Sequence, residues 1–274
     1  MTALSRAIAR AAERLKIVSD TPRLDSEVLM AHALGIERDA LLLNPPPVAE
    51  PAAFAGFLGR RLAGEPVAYI TRKRAFWNIE LEVGPGVLVP RPDSETLISA
   101  ALDHFGAGPG PSRILDLGTG PGTLLLAALD QWPRATGIGV DASPQALQYA
   151  RANAKRLGLS QRATFRKGDW ATGISERFDL VLINPPYVAE DAELGAGVAE
   201  YEPSEALFAG PEGLDEYRRL VPEVARLLAP AGIAAIEIGH DQAEAVTGLL
   251  EAENLKPQLV LDLGGRPRAL VVAG

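Results

Sequence analysis

The sequence predicts an α/β protein: a mainly parallel sheet with a C-terminal antiparallel hairpin, preceded by a small helical domain. Three observations carry this. Uniformly apolar strands recur with helical stretches between them, which is the pattern of parallel strands joined by crossover helices and covered on both faces. The last strand signals, 258–263 and 269–272, flank Gly264-Gly265-Arg266-Pro267 and read as an added hairpin. The first 70 or so residues show helical periodicity and no strand signal.

Taken in order, Leu4, Ile8, Ala11 and Leu15 repeat at helical spacing, and a second stripe over 24–34 ends at Gly35. Asn44-Pro45-Pro46-Pro47 breaks the chain before a third apolar stretch at Phe54, Phe57, Leu58 and Leu62. Alternation over 76–83, a Gly84-Pro85-Gly86 turn and Val87-Leu88-Val89 predict a hairpin. Pro90-Arg91-Pro92-Asp93-Ser94-Glu95 then offers turn residues and a cap for a helix over 94–104. Strands are expected at 113–117, 136–140, 163–167, 180–183 and 232–238, with helices at 123–131, 144–157 and 214–228. The domain reading is residues 1–72 helical, 73–90 a hairpin linker with hinge freedom, and 91–274 the α/β domain.

Composition excludes several chemistries. The 274 residues contain no cysteine and three histidines without paired spacing, so thiolate catalysis, iron–sulfur clusters and Cys- or His-built metal sites are not expected. No metal is expected. The net charge of −8 is uneven. Residues 1–80 hold 11 Lys+Arg and 9 Asp+Glu, leaving 16 and 26 for the remainder. An acidic bulk argues against direct nucleic-acid binding, whose affinity comes mainly from cationic contacts. No stretch approaches the roughly 20 apolar residues of a membrane span, and the N-terminus lacks a signal-peptide core, so a soluble, cytoplasmic protein is expected.

Asp116-Leu117-Gly118-Thr119-Gly120-Pro121-Gly122 stands where the first strand of the parallel sheet becomes a helix. Glycines there let the backbone turn tightly and admit a ligand closely. The preceding acid suits a cationic or amine-bearing ligand and would repel a pyrophosphate, which points from NAD towards S-adenosylmethionine. Asp141, 25 residues on, ends the next strand and can accept ribose hydroxyls. Gly168-Asp169-Trp170 ends the third and offers a carboxylate and a flat ring to an adenine. Trp170 as ordinary core and Asp169 as a helix cap are the plain alternatives.

The fourth strand runs into Asn184-Pro185-Pro186-Tyr187. A planar amide or exocyclic amine is a poor nucleophile because its lone pair is delocalised. The Asn184 side-chain oxygen and the Pro185 carbonyl can accept its two N–H bonds, while Pro185 and Pro186 stiffen the loop and Tyr187 packs on the acceptor. Those oxygens also favour positive charge developing on nitrogen, so no strong general base is required. Arg91, Asp93, Tyr201, Glu202, Glu237 and His240 receive no catalytic role from sequence.

DLGTGPG, GVD, GDW and NPPY, in that order, resemble the Rossmann-like class I S-adenosylmethionine-dependent methyltransferases that modify planar nitrogens. With PRPDSE and DLGGRPR added, the chain resembles the HemK-type glutamine N5-methyltransferases of peptide-chain release factors over nearly its whole length. The resemblance implies S-adenosylmethionine contacts from Gly118, Thr119, Gly120, Pro121, Gly122, Asp141, Trp170 and Asn184, with S-adenosylhomocysteine as product. It implies that Asn184 to Tyr187 hold the glutamine of a release factor's Gly-Gly-Gln loop and that the helical domain helps dock that protein; a monomer is expected. Pro121 departs from the small or hydroxyl residue frequent in the family. The alternatives are an adenine N6-methyltransferase of nucleic acid, a ribosomal-protein glutamine methyltransferase, an NAD-dependent oxidoreductase and a non-catalytic S-adenosylmethionine-binding module.

Overall fold

The computed structural model describes residues 2–195 and 197–274. The chain divides into two compact units, residues 1–73 with 193–202, and residues 74–192 with 203–274.

In the first unit, helices Ala3–Leu15, Pro22–Leu34, Arg38–Leu43, Ala52–Leu62 and Val67–Thr71 follow one another. The first begins where the Thr2 hydroxyl accepts from the Ser5 N–H at 3.1 Å, a side-chain cap. Its stripe of Leu4, Ile8, Ala11 and Leu15 is buried against Leu29, Met30, Phe54, Leu58 and Ile70. Arg61 ties this bundle together: its guanidinium donates to Asp25 at 2.8 Å and to the Val18 carbonyl at 2.9 Å. The short helix Val198–Tyr201 joins the same unit, where the Tyr201 hydroxyl donates to the Ala63 carbonyl at 3.3 Å. This departs from the domain boundaries read from sequence, which placed 193–202 with the α/β domain.

The second unit opens with a two-stranded sheet of β1 (Lys73–Phe76) and β2 (Ile79–Glu82). The expected hairpin is thus displaced: it turns at Trp77-Asn78 and not at 84–86, and 87–89 forms no strand. Trp77 adopts φ 53°, and its N–H donates to the Glu95 carboxylate at 2.8 Å, a tertiary contact that holds the turn. From residue 74 onward these strands belong to the α/β unit rather than to a separate linker.

The main sheet contains β3 (Arg113–Leu117), β4 (Thr136–Asp141), β5 (Ala163–Lys167), β6 (Phe178–Ile183), β7 (Leu228–Glu237), β8 (Gln258–Leu261) and β9 (Pro267–Ala273). Among the described residues its order is β5-β4-β3-β6-β7-β9-β8. The strands β3 to β7 are parallel, and β9 runs antiparallel to both β7 and β8. Branched and aliphatic residues of β3, β6, β7 and β9 pack with Tyr217, Leu220, Val224 and Leu227 of helix Asp215–Leu227 in one buried core. The chain starts in the middle of the sheet, at β3, winds outward through β4 and β5, and returns to β6. Strand order therefore reverses between β3 and β6, where open parallel sheets form a crevice at their carboxyl ends.

Candidate active site

Register fixes what meets in that crevice. Leu117, the last residue of β3, pairs with Ile183, the last of β6, and Ile183 pairs with Ile236 of β7. The glycine loop after β3, the Asn-Pro-Pro-Tyr loop after β6 and Glu237 at the end of β7 thus emerge side by side. The two loops border a cavity of about 610 Å³, which Asp116, Gly120, Asp141, Trp170 and Asn184 help to line.

The glycine loop is held by its own chain. The N–H groups of Gly118 and Thr119 donate to the Val140 carbonyl at 2.9 and 3.0 Å, and that of Gly122 to the Thr119 carbonyl at 2.9 Å. Gly120 N–H donates to Asp141 at 2.8 Å. Pro121 has none. The loop therefore presents no spare donor at 118–122 for a pyrophosphate, unlike a dinucleotide-binding turn. What it offers is shape. A Cβ on Gly118 would stand 3.0 Å from the Trp170 ring and 3.4 Å from the Asn184 carbonyl oxygen, whereas one on Gly120 would meet nothing within 4 Å and would project into free space.

Asp116 is 1% exposed. One carboxylate oxygen accepts from the Thr119 hydroxyl at 2.6 Å and from Leu125 N–H at 3.1 Å. The other, Oδ1, has no partner. Burial, with Asp141 nearby, pushes its pKa up to about 7 despite those two donors. A buried carboxylate with an unused oxygen suits a ligand with a cationic or amine-bearing end. Asp141, raised by burial, is aimed by Ser143 N–H at 2.8 Å and by Gly120 N–H, one on each oxygen, which leaves further lone pairs for hydroxyl donors. The residues present thus fit S-adenosylmethionine.

Asp169 lines the same cavity as Asp141 and Trp170. Its exposed carboxylate is held by Arg219 Nη2, which lies 2.7 Å from each oxygen. Trp170, at φ 49°, donates its ring N–H to Glu216 at 2.5 Å, and Arg219 also donates to Glu216 at 2.8 Å. Glu216 and Arg219 lie one helical turn apart on Asp215–Leu227, so that helix fixes both members of the Asp-Trp pair. Sequence reasoning missed these two residues; their acid–base spacing of three was the available signal.

On the acceptor side Pro185 is buried and Asn184, Pro186 and Tyr187 are half-buried. Asn184 Nδ2 donates to the Ser94 hydroxyl at 3.2 Å. The Tyr187 carbonyl accepts from Gln242 at 3.0 Å, and its hydroxyl reaches Glu237 at 3.4 Å. Tyr187 is held well above its ordinary pKa by burial and by the Glu237 charge, so its ring remains a neutral phenol. Glu237 is 1% exposed; burial pushes it up to about 7, against the pull of the Ser94 hydrogen bond and Arg268. Arg268, itself buried, pairs with Asp93 at 3.3 Å and Asp262 at 3.7 Å. The Pro-Arg-Pro-Asp-Ser-Glu and Asp-Leu-Gly-Gly-Arg-Pro-Arg segments, 170 residues apart, are therefore joined through one guanidinium. Ser94, read as a helix cap, makes no capping bond and turns its hydroxyl to Asn184.

Comparison with known proteins matches residues 111–259 to a methyltransferase domain and residues 6–71 to a PrmC N-terminal domain. The release factor glutamine methyltransferase of Rhodospirillum rubrum is 45% identical, covering 98% of this chain and 84% of its own. The chain belongs to the release factor glutamine methyltransferase family. That of Caulobacter vibrioides is 40% identical over 98% of this chain and 95% of its own. As a member of this family the protein is an S-adenosylmethionine-dependent methyltransferase. Among solved structures a methyltransferase from Pyrococcus furiosus matches with a TM-score of 0.56 at 18% identity, covering 80% of this chain and 98% of that one, a likeness of fold.

Proposed function

We propose that this enzyme methylates the side-chain amide nitrogen of the glutamine in the Gly-Gly-Gln loop of peptide-chain release factors. One observation carries the reading: Asn184-Pro185-Pro186-Tyr187 leaves β6 directly beside the glycine loop that leaves β3, so an amide clamp borders the cofactor cavity. The family membership supports the same substrate. Gly118 to Gly122 give the cofactor a close-fitting backbone wall, Asp116 a carboxylate for its cationic end, Asp141 acceptors for its ribose hydroxyls and Trp170 a flat face for its base. Bound there, S-adenosylmethionine supplies a sulfonium methyl: the amide nitrogen gains the N–C bond as the S–C bond breaks, and then releases its proton to solvent. Asn184 Oδ1 and the Pro185 carbonyl accept the two N–H bonds of the glutamine amide, orient its nitrogen and favour the positive charge that develops on it. Tyr187, neutral and packed beside them, flanks the acceptor plane.

The helical segment 1–72 helps dock the release factor, and the enzyme acts as a monomer in the cytoplasm without binding nucleic acid directly. The acidic balance of residues 81–274 supports the last point, and among the described residues no helix is long and apolar enough to cross a membrane.

The test is transfer of label from S-adenosylmethionine to a release factor and to the same factor with Gln→Ala in its Gly-Gly-Gln loop. Label on the first alone, with Asn184→Ala lowering kcat on the order of 10²–10³-fold as loss of a transition-state acceptor does, is expected. Equal label on both factors would move the acceptor elsewhere.

A further inference from the structure

Ser94 lines the cavity with Asn184, and Glu237 is buried next to it; neither takes part in any step above. Ser94 is 2% exposed, and Glu237 1%. The Ser94 side chain hydrogen-bonds the Glu237 carboxylate, and the same hydroxyl oxygen receives Asn184 Nδ2 at 3.2 Å. A serine hydroxyl has one proton and two lone pairs. A carboxylate accepts only, so while Glu237 is ionised the Ser94 proton is committed to it. Ser94 then faces Asn184 with a lone pair, to which only the NH2 end of the amide can point. The amide oxygen of Asn184 must therefore face the other way.

We propose that Ser94, oriented by Glu237, is a positioning residue that locks the Asn184 side-chain amide in one of its two orientations, the one that leaves Oδ1 free to accept an N–H of the incoming amide. The proposal rests on the acceptor reading given above. In the alternative orientation Asn184 would present donors to a donor, and the clamp would repel its substrate. An Asn side chain is close to symmetric in shape, so packing alone does not choose between the two; a directional hydrogen bond does.

The surroundings of Glu237 keep the relay defined. Arg268 of β9 attracts its charge, Asp93 opposes it, the Tyr187 hydroxyl lies 3.4 Å from Oε1, and the Tyr217 hydroxyl donates to its backbone carbonyl at 2.9 Å. Oε2 has no hydrogen-bond partner. With Glu237 raised to about 7 by burial, protonation at lower pH would give the pair a second proton and let the Ser94 hydroxyl turn towards Asn184. The lock is thus held above neutrality and released below it.

The experiment compares the full-length wild type with Ser94→Ala, Ser94→Thr and Glu237→Gln. It uses release-factor methylation from pH 6 to 9, S-adenosylmethionine affinity by calorimetry and thermal melting. Ser94→Ala is expected to lower kcat about 10-fold, the weight of one oriented hydrogen bond, with cofactor affinity within twofold. Ser94→Thr, which keeps the hydroxyl, restores activity. Glu237→Gln is expected to match Ser94→Ala at pH 8, to add little to it in the double variant, and to lose the rise in kcat through neutrality seen in the wild type. In a 15N-labelled sample without cofactor, the Asn184 side-chain NH2 signals shift through the same pH range in the wild type and not in Glu237→Gln. A wild type that labels the glutamine while folded Ser94→Ala keeps full kcat overturns the lock alone. A wild type that labels no glutamine overturns the acceptor reading and the lock with it. Equal losses in Ser94→Ala and Ser94→Thr, accompanied by lowered melting, also refute the proposal, because a packing role predicts that pattern.

Discussion

Gly120→Ala separates the fit of the protein from the fit of its ligand. Gly120 has φ 55°, and an added Cβ would meet no atom within 4 Å. The folded chain therefore bears only the left-handed strain of a non-glycine residue, about 1–2 kcal/mol. At roughly 2–4 °C per kcal/mol for a unit of this size, melting should fall by about 2–8 °C. The cofactor meets a different situation, since that free space is part of the cavity beside Asp141. A methyl group intruding on a close-fitting ligand costs about 1–3 kcal/mol, roughly 5–150-fold in Kd. Calorimetry with S-adenosylmethionine and S-adenosylhomocysteine on the folded variant reads this directly. Thermal melting gives a second reading: ligand at 100 times Kd adds about 2.7 kcal/mol to the wild type, and the variant at the same ligand concentration should show a much smaller rise. Gly118→Ala is the contrasting case, because its Cβ would press on Trp170 at 3.0 Å and so should cost more stability. A folded Gly120→Ala protein that binds S-adenosylmethionine with wild-type Kd would refute the assignment of this loop as the cofactor cradle.

Three further outcomes are expected. Asp116 and Glu237 both hold a proton up to about pH 7 when folded, but release it in the usual carboxylate range when unfolded. Between those limits the folded state binds more protons, so stability of the ligand-free protein should fall as pH rises from about 4 to 7 and then level off, by at most about 3–4 kcal/mol per group; melting from pH 5 to 8 checks the sign, and Asp116→Asn should flatten part of the slope. Arg61→Ala leaves the buried Asp25 carboxylate without its guanidinium and should destabilise the helical unit by about 3–5 kcal/mol, seen as an earlier helical transition by circular dichroism. Arg268→Met should lower melting by a similar amount, because Asp93, Asp262 and Glu237 lose their shared cation; Asp93→Asn, whose side chain is half exposed, should cost far less.

The parts of the fold legible in the sequence were those governed by local rules. Apolar runs at 113–117 and 180–183 could only be buried parallel strands once helices were found between them. The hairpin at 73–82 was misplaced because its alternation runs on through residue 83, and its two-residue turn contains no glycine. Trp77 takes a left-handed backbone supported by a tertiary hydrogen bond from its own N–H to the Glu95 carboxylate, and nothing local to Trp77 announces it. The attachment of 193–202 to the helical unit is likewise a long-range fact, made by Tyr201 reaching Ala63.

The same division runs through the site. Asp116, the glycines, Asp141 and Asn184 were readable because each stands at or next to the carboxyl end of a strand, and strand ends in such a sheet share one edge. Asp169 was read by type and position, and it lines the cavity beside Trp170 with its carboxylate also held by Arg219. The residues that orient the acceptor loop lie elsewhere: Ser94 follows the hairpin, Glu237 ends β7, and Arg268 comes from the C-terminal hairpin. Each looked like a cap, a strand-end acid or a surface base when read alone. The antiparallel β9 explains why they meet. By returning beside β7, it carries Arg268 to the level of Glu237, whose neighbour Ile238 donates its N–H to the Arg268 carbonyl at 2.9 Å. The C-terminal hairpin is thus more than an edge to the sheet. It delivers a cation, Arg268, that favours the charge of a carboxylate buried near the Asn-Pro-Pro-Tyr loop, and that carboxylate in turn sets the direction of the hydrogen bonds in front of it.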